Sequence, residues 1–445
     1  MFRSIRVWAA CSLIVCAAVA CTAKDRDFGS GEAPGGAGAA AENAGGVPQG
    51  DAGGVPSTAG GVPSNAGGAP SDAGAPAAGG TNSAAGAGGD CATSPCEPTE
   101  PEVDDCSPNP CKNAGQCSDI GDGFSCECVN GFAGADCTEK LLEALPLLAN
   151  ATACSLEALN GNGRVAVGDC VVNGTRKAFW WKPSIGTKAL PSSGESSASA
   201  VTSDGTFIVG YSLNTDFASG SSWLNGGGSL GYPGLLYGGM AVTSHARAVS
   251  DDGQIVAGMS ESANGAPRAV RWINHVAESL GSGHDEIYAT AMSGDGKVIA
   301  GYAYDPNAAI KWTLETGLVK LQLPAGASGG QAYGVSRDGA VIVGTASGDA
   351  LRWIGSAAPE SLGVKGIARA ASQTGDVVVG SSGGEAIVWD KTRGARILSD
   401  VLFELGADLT GWSLSEALAV SADGHVVGGN GTLAGVEQVW LARLP

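Results

Sequence analysis

Residues 141–445 predict an all-β fold, a closed ring of seven four-stranded blades, on three observations. An 11-residue string recurs seven times without a gap: ALNGNGRVAVG (158–168), AVTSDGTFIVG (200–210), AVSDDGQIVAG (248–258), AMSGDGKVIAG (291–301), GVSRDGAVIVG (334–344), AASQTGDVVVG (370–380) and AVSADGHVVGG (419–429). Its turn glycines run from Gly163 to Gly424 over six intervals, a period of about 43 residues, and a fixed period of that length signals a repeat architecture. After each string comes a step like A-x-x-W, ending at Trp181, Trp223, Trp272, Trp312, Trp353, Trp389 and Trp440. Finally, the ends complement each other: copy seven stops at VWLARLP with no further strand, while EALPLL (143–148), ahead of copy one, reads like KALPSS (188–193).

The elements follow in order along one repeat. Asp-Gly between apolar runs predicts strand, tight turn and strand, with both turn positions at positive φ. The closing glycine marks a bend or a close approach of backbones. The A-x-x-W step is a third strand, its indole packing between blades. A short Leu-containing segment is the fourth: ALPSS (189–193), SLGYP (229–233), SLGSG (279–283), LQLP (321–324) and SLGVKG (361–366). Four short strands per period describe a propeller blade, and a last blade sharing strands from both termini leaves no exposed edge. With Asn162-Gly163 as turn, Cys154 and Cys170 fall near-opposite each other, close enough to bridge in an oxidising compartment. In motif detail the repeats resemble the HAF-type extracellular repeats of bacterial exported proteins, of which only Ala178-Phe179 keeps the Ala-Phe step and no copy the His. That resemblance implies export and no particular activity.

Ahead of the ring the chain divides three ways. Residues 1–20 have two early bases, Arg3 and Arg6, and then an apolar run from Val7 to Ala20. That run is shorter than the roughly 20 residues of a spanning helix and fits an export leader. Ala18-Val19-Ala20-Cys21 resembles a bacterial lipobox, with Ala18 where Leu is usual, which implies an acylated Cys21 as mature N-terminus and a membrane-anchored location at the outer membrane or cell surface. Simple cleavage and free secretion is the alternative. Residues 21–90 are dominated by Gly, Ala, Pro and Ser and hold almost nothing large to bury, so they predict a disordered tether. Residues 91–140 hold eight cysteines, and a segment so small needs disulfides for stability.

Six of those cysteines, Cys106 to Cys137, are spaced C-x4-C-x5-C-x8-C-x-C-x8-C with Gly-Phe before the last. This closely resembles an EGF-like domain and implies the pairs Cys106–Cys117, Cys111–Cys126 and Cys128–Cys137. Cys91 and Cys96 lie upstream and form a further candidate pair. EVDDC (102–106) and the Cys117–Cys126 segment resemble the calcium-binding variety of that domain. The resemblance implies ligation by Glu102, Asp105 and Asp119 with the carbonyl of Val103, and calcium favours such hard oxygens. A solvated acidic edge is the other reading.

Charge and motif searches narrow the function. The net charge is −19, which disfavours nucleic acid and anionic lipid as partners; the expected membrane contact is the lipid anchor alone. No HExxH, Gly-x-Ser-x-Gly or Cys/His metal spacing occurs, and the four histidines, His245, His275, His284 and His425, are scattered, so no catalytic residue and no organic cofactor is expected. The turn acids Asp204, Asp252, Asp295, Asp338 and Asp423 are explained by turn chemistry. Arg271, Lys311 and Arg352, each before a Trp, are expected outward as solvated charge. The insertion GSLGYPGLLYGGMAVTSHAR (228–247), carrying Tyr232 and Tyr237, reads equally as a binding loop or as padding. These readings favour a surface-anchored module for protein or glycan recognition. The alternatives are an exported propeller enzyme, which needs a cluster of acids or His at one end of the channel, and a structural envelope component.

Overall fold

In a computed structural model, residues 104–445 are described except 122, 214–217, 233–242, 263–264, 282–285 and 305–306, with Ser229–Tyr232 described in backbone only. Seven antiparallel four-stranded sheets follow one another in sequence order. Blade 1 is Ala151–Leu159, Ala166–Val172, Thr175–Lys182 and Gly186–Ala189; the first strands of blades 2 to 6 start at Ser196, Ser244, Ile287, Gly330 and Ile367. Blade 7 takes Trp412–Val420, Val426–Leu433 and Val436–Arg443 from the C-terminus, and its fourth strand, Leu142–Ala144, comes from ahead of blade 1. First strands of neighbouring blades touch all the way round, blade 7 against blade 1 included, so they form the inner ring and line a central channel.

The core is divided among the seams. Each of seven apolar clusters joins two adjacent blades around one repeat tryptophan: Trp223 packs on Val165, Val167 and Leu190 of blade 1, Trp312 on Ala257 and Leu280 of blade 3, and Trp181 closes the ring on Val439 and Leu441 of blade 7. None of the seven indoles is more than 7% exposed. Fully burying an aromatic of this size contributes several kcal/mol, so these seams supply much of the stability. Trp223 and Trp353 also donate Nε1–H to the carbonyls of Pro191 and Gln322 in the preceding blade, at 2.8 and 2.6 Å.

Three local readings are corrected. Asp-Gly does not form a two-residue turn with both φ positive; only the glycine is left-handed, as at Gly205 (φ 74°) and Gly253 (φ 71°). In each loop the Ser, Thr or Asn three before the glycine bonds through its amide to the carbonyl two residues beyond, as Ser250 to Ile255, closing a four-residue loop built on a type I turn. The fourth strands of blades 1, 3 and 4 end just before the leucine expected within them, but Leu190, Leu280 and Leu321 still donate their amides to the third strand. Arg271 and Arg352 are not solvated. They lie 4.5 and 4.3 Å over Trp312 and Trp389 of the next blade, pair with Glu278 and Glu360, and are 14% and 9% exposed, because a planar guanidinium can stack on an indole without losing its ion pair.

Ahead of the ring, Cys106–Cys117, Cys111–Cys126 and Cys128–Cys137 are disulfide-bonded, and the Cys117 strand pairs with the Cys126 strand. The last hairpin of this small module, Phe132–Ala133 with Glu139–Lys140, runs straight into Leu142–Ala144. Arg443, ending the third strand of blade 7, donates to Glu139 and Glu143 at 2.5 and 2.8 Å, and Arg164, just past the blade 1 turn, also meets Glu139. The module therefore docks at the Asp-Gly end of blade 7.

Candidate functional site

The inner strands build the site through one repeated irregularity. Each has a bulge six residues before its turn glycine, at Glu157, Ser199, Arg247, Thr290, Tyr333, Arg369 and Leu418. Opposite it stands the closing glycine of the repeat. A Cβ on Gly210, Gly258, Gly301 or Gly380 would overlap the carbonyl oxygen of the residue before the bulge pair, so the second strand must carry glycine there. The repeat thus specifies backbone, while the bulge residue and its neighbours are left to vary.

Those variable positions come together round the channel. Tyr211 of blade 2 stacks on His245 of blade 3 with ring centroids 4.4 Å apart. In blade 4, Tyr302 lies 5.3 Å from Tyr288 and 5.4 Å from Tyr304, and it reaches Tyr333 of blade 5 at 6.3 Å. Arg369 of blade 6 sits 4.9 Å over Tyr333 and 3.5 Å from Glu416 of blade 7, while its Nε is buried without a partner. Glu157 of blade 1 interacts across the lumen with Arg247 of blade 3 and Arg369 of blade 6, which are not its neighbours in the ring. Glu157 is an exposed residue facing the open channel, although protein atoms are dense around its carboxylate.

The electrostatics of the ring are unequal. Desolvation, opposed by the arginines, pushes Glu157 up to about 7, so it is part protonated at neutral pH. Burial, helped by Arg247, holds His245 down at about 4, hence neutral. Asp169 is saturated by Arg176 at 2.6 Å and by the Ser197 hydroxyl at 2.9 Å. Arg247 differs: its guanidinium has no hydrogen-bond or ion-pair partner among the described residues, only the through-space field of Glu157, His245, Tyr211 and Tyr302. The channel therefore holds one guanidinium that no carboxylate contacts directly among the described residues.

At one end of the channel the blades are stitched together at six of their seven seams. At the Asp-Gly turns, backbone bonds link successive blades: Gly161 to Ser203, Asp251 to Gly294, Gly294 to Arg337, Asp338 to Gln373, Gln373 to Ala422 and Ala422 to Gly161. Arg337 of blade 5 also pairs with Asp251 of blade 3 across Gly294, where a side chain would collide with Asp251. The tyrosines lie towards the other end, where the inner strands begin, and Tyr304 is 50% exposed there. That end is the mouth. A separate cleft of about 420 Å³ on blade 1 has one charged lining residue, Lys177, already bonded to the carbonyl of Gly194.

The residues singled out in the sequence fall as follows. Each turn acid works within its own loop, as Asp252 does in accepting from the Ser250 hydroxyl at 2.6 Å and the Gln254 amide at 3.0 Å; they form no array. Cys154 and Cys170 are direct cross-strand partners and are bonded, since the Glu157 bulge takes up one residue of offset. The Asp105 amide donates to the Asp119 carboxylate at 3.3 Å. Among the described residues no three potential metal ligands gather. Cys21, Cys91, Cys96, Glu102, Val103 and Tyr237 lie outside the described residues; Tyr232 ends the fourth strand of blade 2, its side chain undescribed. The channel cluster itself went unread in the sequence. Its signal was the column just before each string, where chemistry changes from copy to copy: Glu157, Ser199, Arg247, Thr290, Tyr333, Arg369 and Leu418.

A family model of the EGF-like domain matches residues 106–136. Among solved structures the chain is similar to an oligogalacturonate lyase from Vibrio parahaemolyticus, at 11% identity over 68% of this chain and 97% of that one with a TM-score of 0.47. It is also similar to a streptogramin B lyase (12%, 68% and 97%, TM-score 0.43) and to TolB from Acinetobacter baumannii (14%, 57% and 57%, TM-score 0.32). No curated protein matches it in sequence. By its sequence match and its own strand pairing, the protein is an EGF-like module joined to a seven-bladed β-propeller.

Proposed function

We propose that this is an extracellular binding protein whose propeller takes its ligand, a glycan or a glycan-bearing protein, at the channel mouth. One observation carries the reading: Arg247 of the inner ring has no hydrogen-bond or ion-pair partner among the described residues and lies beside the channel tyrosines, and such groups are rarely left unsatisfied except where a ligand or water completes them. Export is supported by the four disulfides and the EGF-like module, which belong to oxidising compartments. No helix among the described residues is long and apolar enough to cross a membrane. An acylated Cys21 with residues 21–90 as tether would hold the module at a cell surface. Calcium at the EGF-like edge is part of the proposal, supported by the Asp105–Asp119 contact. The test is a glycan array probed with the oxidised protein and with Arg247→Gln. Signals lost in the variant support the channel; signals unchanged by it would move the site elsewhere.

A second reading, an exported enzyme, is favoured by Glu157, since a carboxyl titrating near 7 suits proton transfer. Glu157→Gln separates the two: it would leave a binder binding and stop an enzyme's turnover.

A further inference from the structure

We infer that the channel ligand is an acidic sugar, a carboxylate on a ring-shaped body, with Arg247 as the clamp for the carboxylate and Glu157 as its proton-linked neighbour. The inference rests on the reading of the channel mouth as the binding site and adds the ligand's chemical class. Three observations converge. Arg247 is half-buried in the inner ring with no hydrogen-bond or ion-pair partner among the described residues, so its fork is free to receive two oxygens; bidentate carboxylate is the partner that best matches a planar guanidinium. The cations elsewhere in the ring are already in contact with carboxylates, Arg176 with Asp169 and Arg369 with Glu416, whereas Arg247 has only the through-space field of Glu157. Towards the mouth, Tyr288, Tyr302, Tyr304 and Tyr333 form a continuous aromatic cluster next to Arg247. Aromatic faces take the C–H faces of a sugar ring and phenolic hydroxyls bond its hydroxyls, whereas a bare inorganic anion would make no use of them.

Glu157 sets the condition for entry. It faces Arg247 of blade 3, Arg369 of blade 6, and Asp169 and Arg176 of its own blade. Ionised, it competes with the ligand carboxylate for the arginine; protonated, it does not, and its O–H can donate to a ligand oxygen. Bringing a second carboxylate beside it raises its proton affinity, since like charges in one site favour the neutral form. Binding at pH 7 to 8 therefore takes up part of one proton from solvent, transferred to the Glu157 carboxylate, with no other bond made or broken.

The experiment is calorimetric titration of the oxidised full chain with glucuronate and with glucose, a pair differing in the carboxylate alone, in two buffers of different ionisation enthalpy. The expected result is glucuronate binding at least tenfold tighter than glucose, tighter at pH 6 than at pH 8, with buffer-dependent heat showing proton uptake. Arg247→Gln should erase the preference while keeping the wild-type melting temperature at pH 5, where Glu157 holds its proton with or without the arginine; Glu157→Gln should abolish the proton uptake and keep the preference. Equal affinity for the two sugars, or a preference intact in Arg247→Gln, overturns the acidic-sugar inference and leaves the channel as a site. No heat from either sugar up to high millimolar concentration overturns the inference and the channel reading together.

Discussion

A single carboxylate and a single indole show how differently side chains of this ring are constrained. Glu157 has its pKa raised above that of the unfolded chain, so the native state holds its proton more tightly. The stability this contributes is complete below about pH 4.5 and is lost as pH rises through about 7. Glu157→Gln should therefore raise the melting temperature at pH 8 and leave it unchanged at pH 4; after allowance for channel water the gain is about 1 kcal/mol, and an equal shift at both pH values would refute the assignment. Trp223→Ala removes a fully buried indole and its bond to Pro191, at a cost of about 3–5 kcal/mol by urea unfolding. The tryptophans were legible in the sequence because each recurs at the same place in a periodic pattern. Glu157, Arg247 and Arg369 were not, because they share a repeat position but no chemistry: the same bulge holds Ser, Thr, Tyr or Leu in the other blades, and only the ring brings blades 1, 3 and 6 together. Arg271 and Arg352 were misread for a related reason, since period-two alternation along a strand gives the side a residue takes but not that the neighbouring blade covers it.

Within one blade, the unit that repeats is the hairpin with its bulge. Ser or Thr, Asp and Gly in the loop form a small closed network: the Asp accepts from the hydroxyl and from the following amide, and the hydroxyl accepts from the amide beyond. Those bonds hold Asp204 and Asp252 below the usual carboxylate range, the Thr202 and Ser250 hydroxyls contributing most. A folded pKa below the unfolded value means stability that is present above about pH 4 and lost as pH falls through the folded value. Asp252→Ala should cost about 1 kcal/mol at pH 7 and progressively less as pH falls below 4, read from melting curves; a cost that does not diminish on acidification would show that the loop does not need the charge. Gly301→Ala puts a Cβ into the carbonyl of Tyr288, and the forced backbone shift should cost about 3 kcal/mol and loosen the tyrosine cluster, visible as a changed tyrosine fluorescence. The sequence announced these hairpins through Asp-Gly between apolar runs. The turn type escaped it because Asp-Gly serves both a two-residue turn and the end of a four-residue loop, and only the Ser250-to-Ile255 bond and its counterparts distinguish them.

Taken together, the EGF-like module and the ring behave as one object with two unlike ends. Glu139 ties the module to Arg164 and Arg443 at the end where the turns stitch neighbouring blades together, and the tyrosines are towards the other. Removing residues 1–149 deletes both the module and the fourth strand of blade 7, leaving an unpaired edge; this form should melt at least 5 °C lower and self-associate. Glu139→Ala tests the seam separately: its two arginine partners are partly exposed, so the loss should be about 1 kcal/mol. An unaltered melt in the truncated form would mean that the ring is stable with three strands in its last blade.

The pairing of Leu142–Ala144 with Val436–Arg443 joins residues 300 positions apart, as the Arg443–Glu143 bond records. A chain that crosses a membrane from its N-terminus delivers the first of these strands before any repeat and its partner only at the very end. The module's disulfides need nothing beyond Cys137, so it can finish early and hold out Leu142–Ala144 while blades 1 to 6 stack behind it. The ring then has a fixed order of completion, with the last ten or so residues acting as a latch, and loss of those few residues should strand an open array of six finished blades.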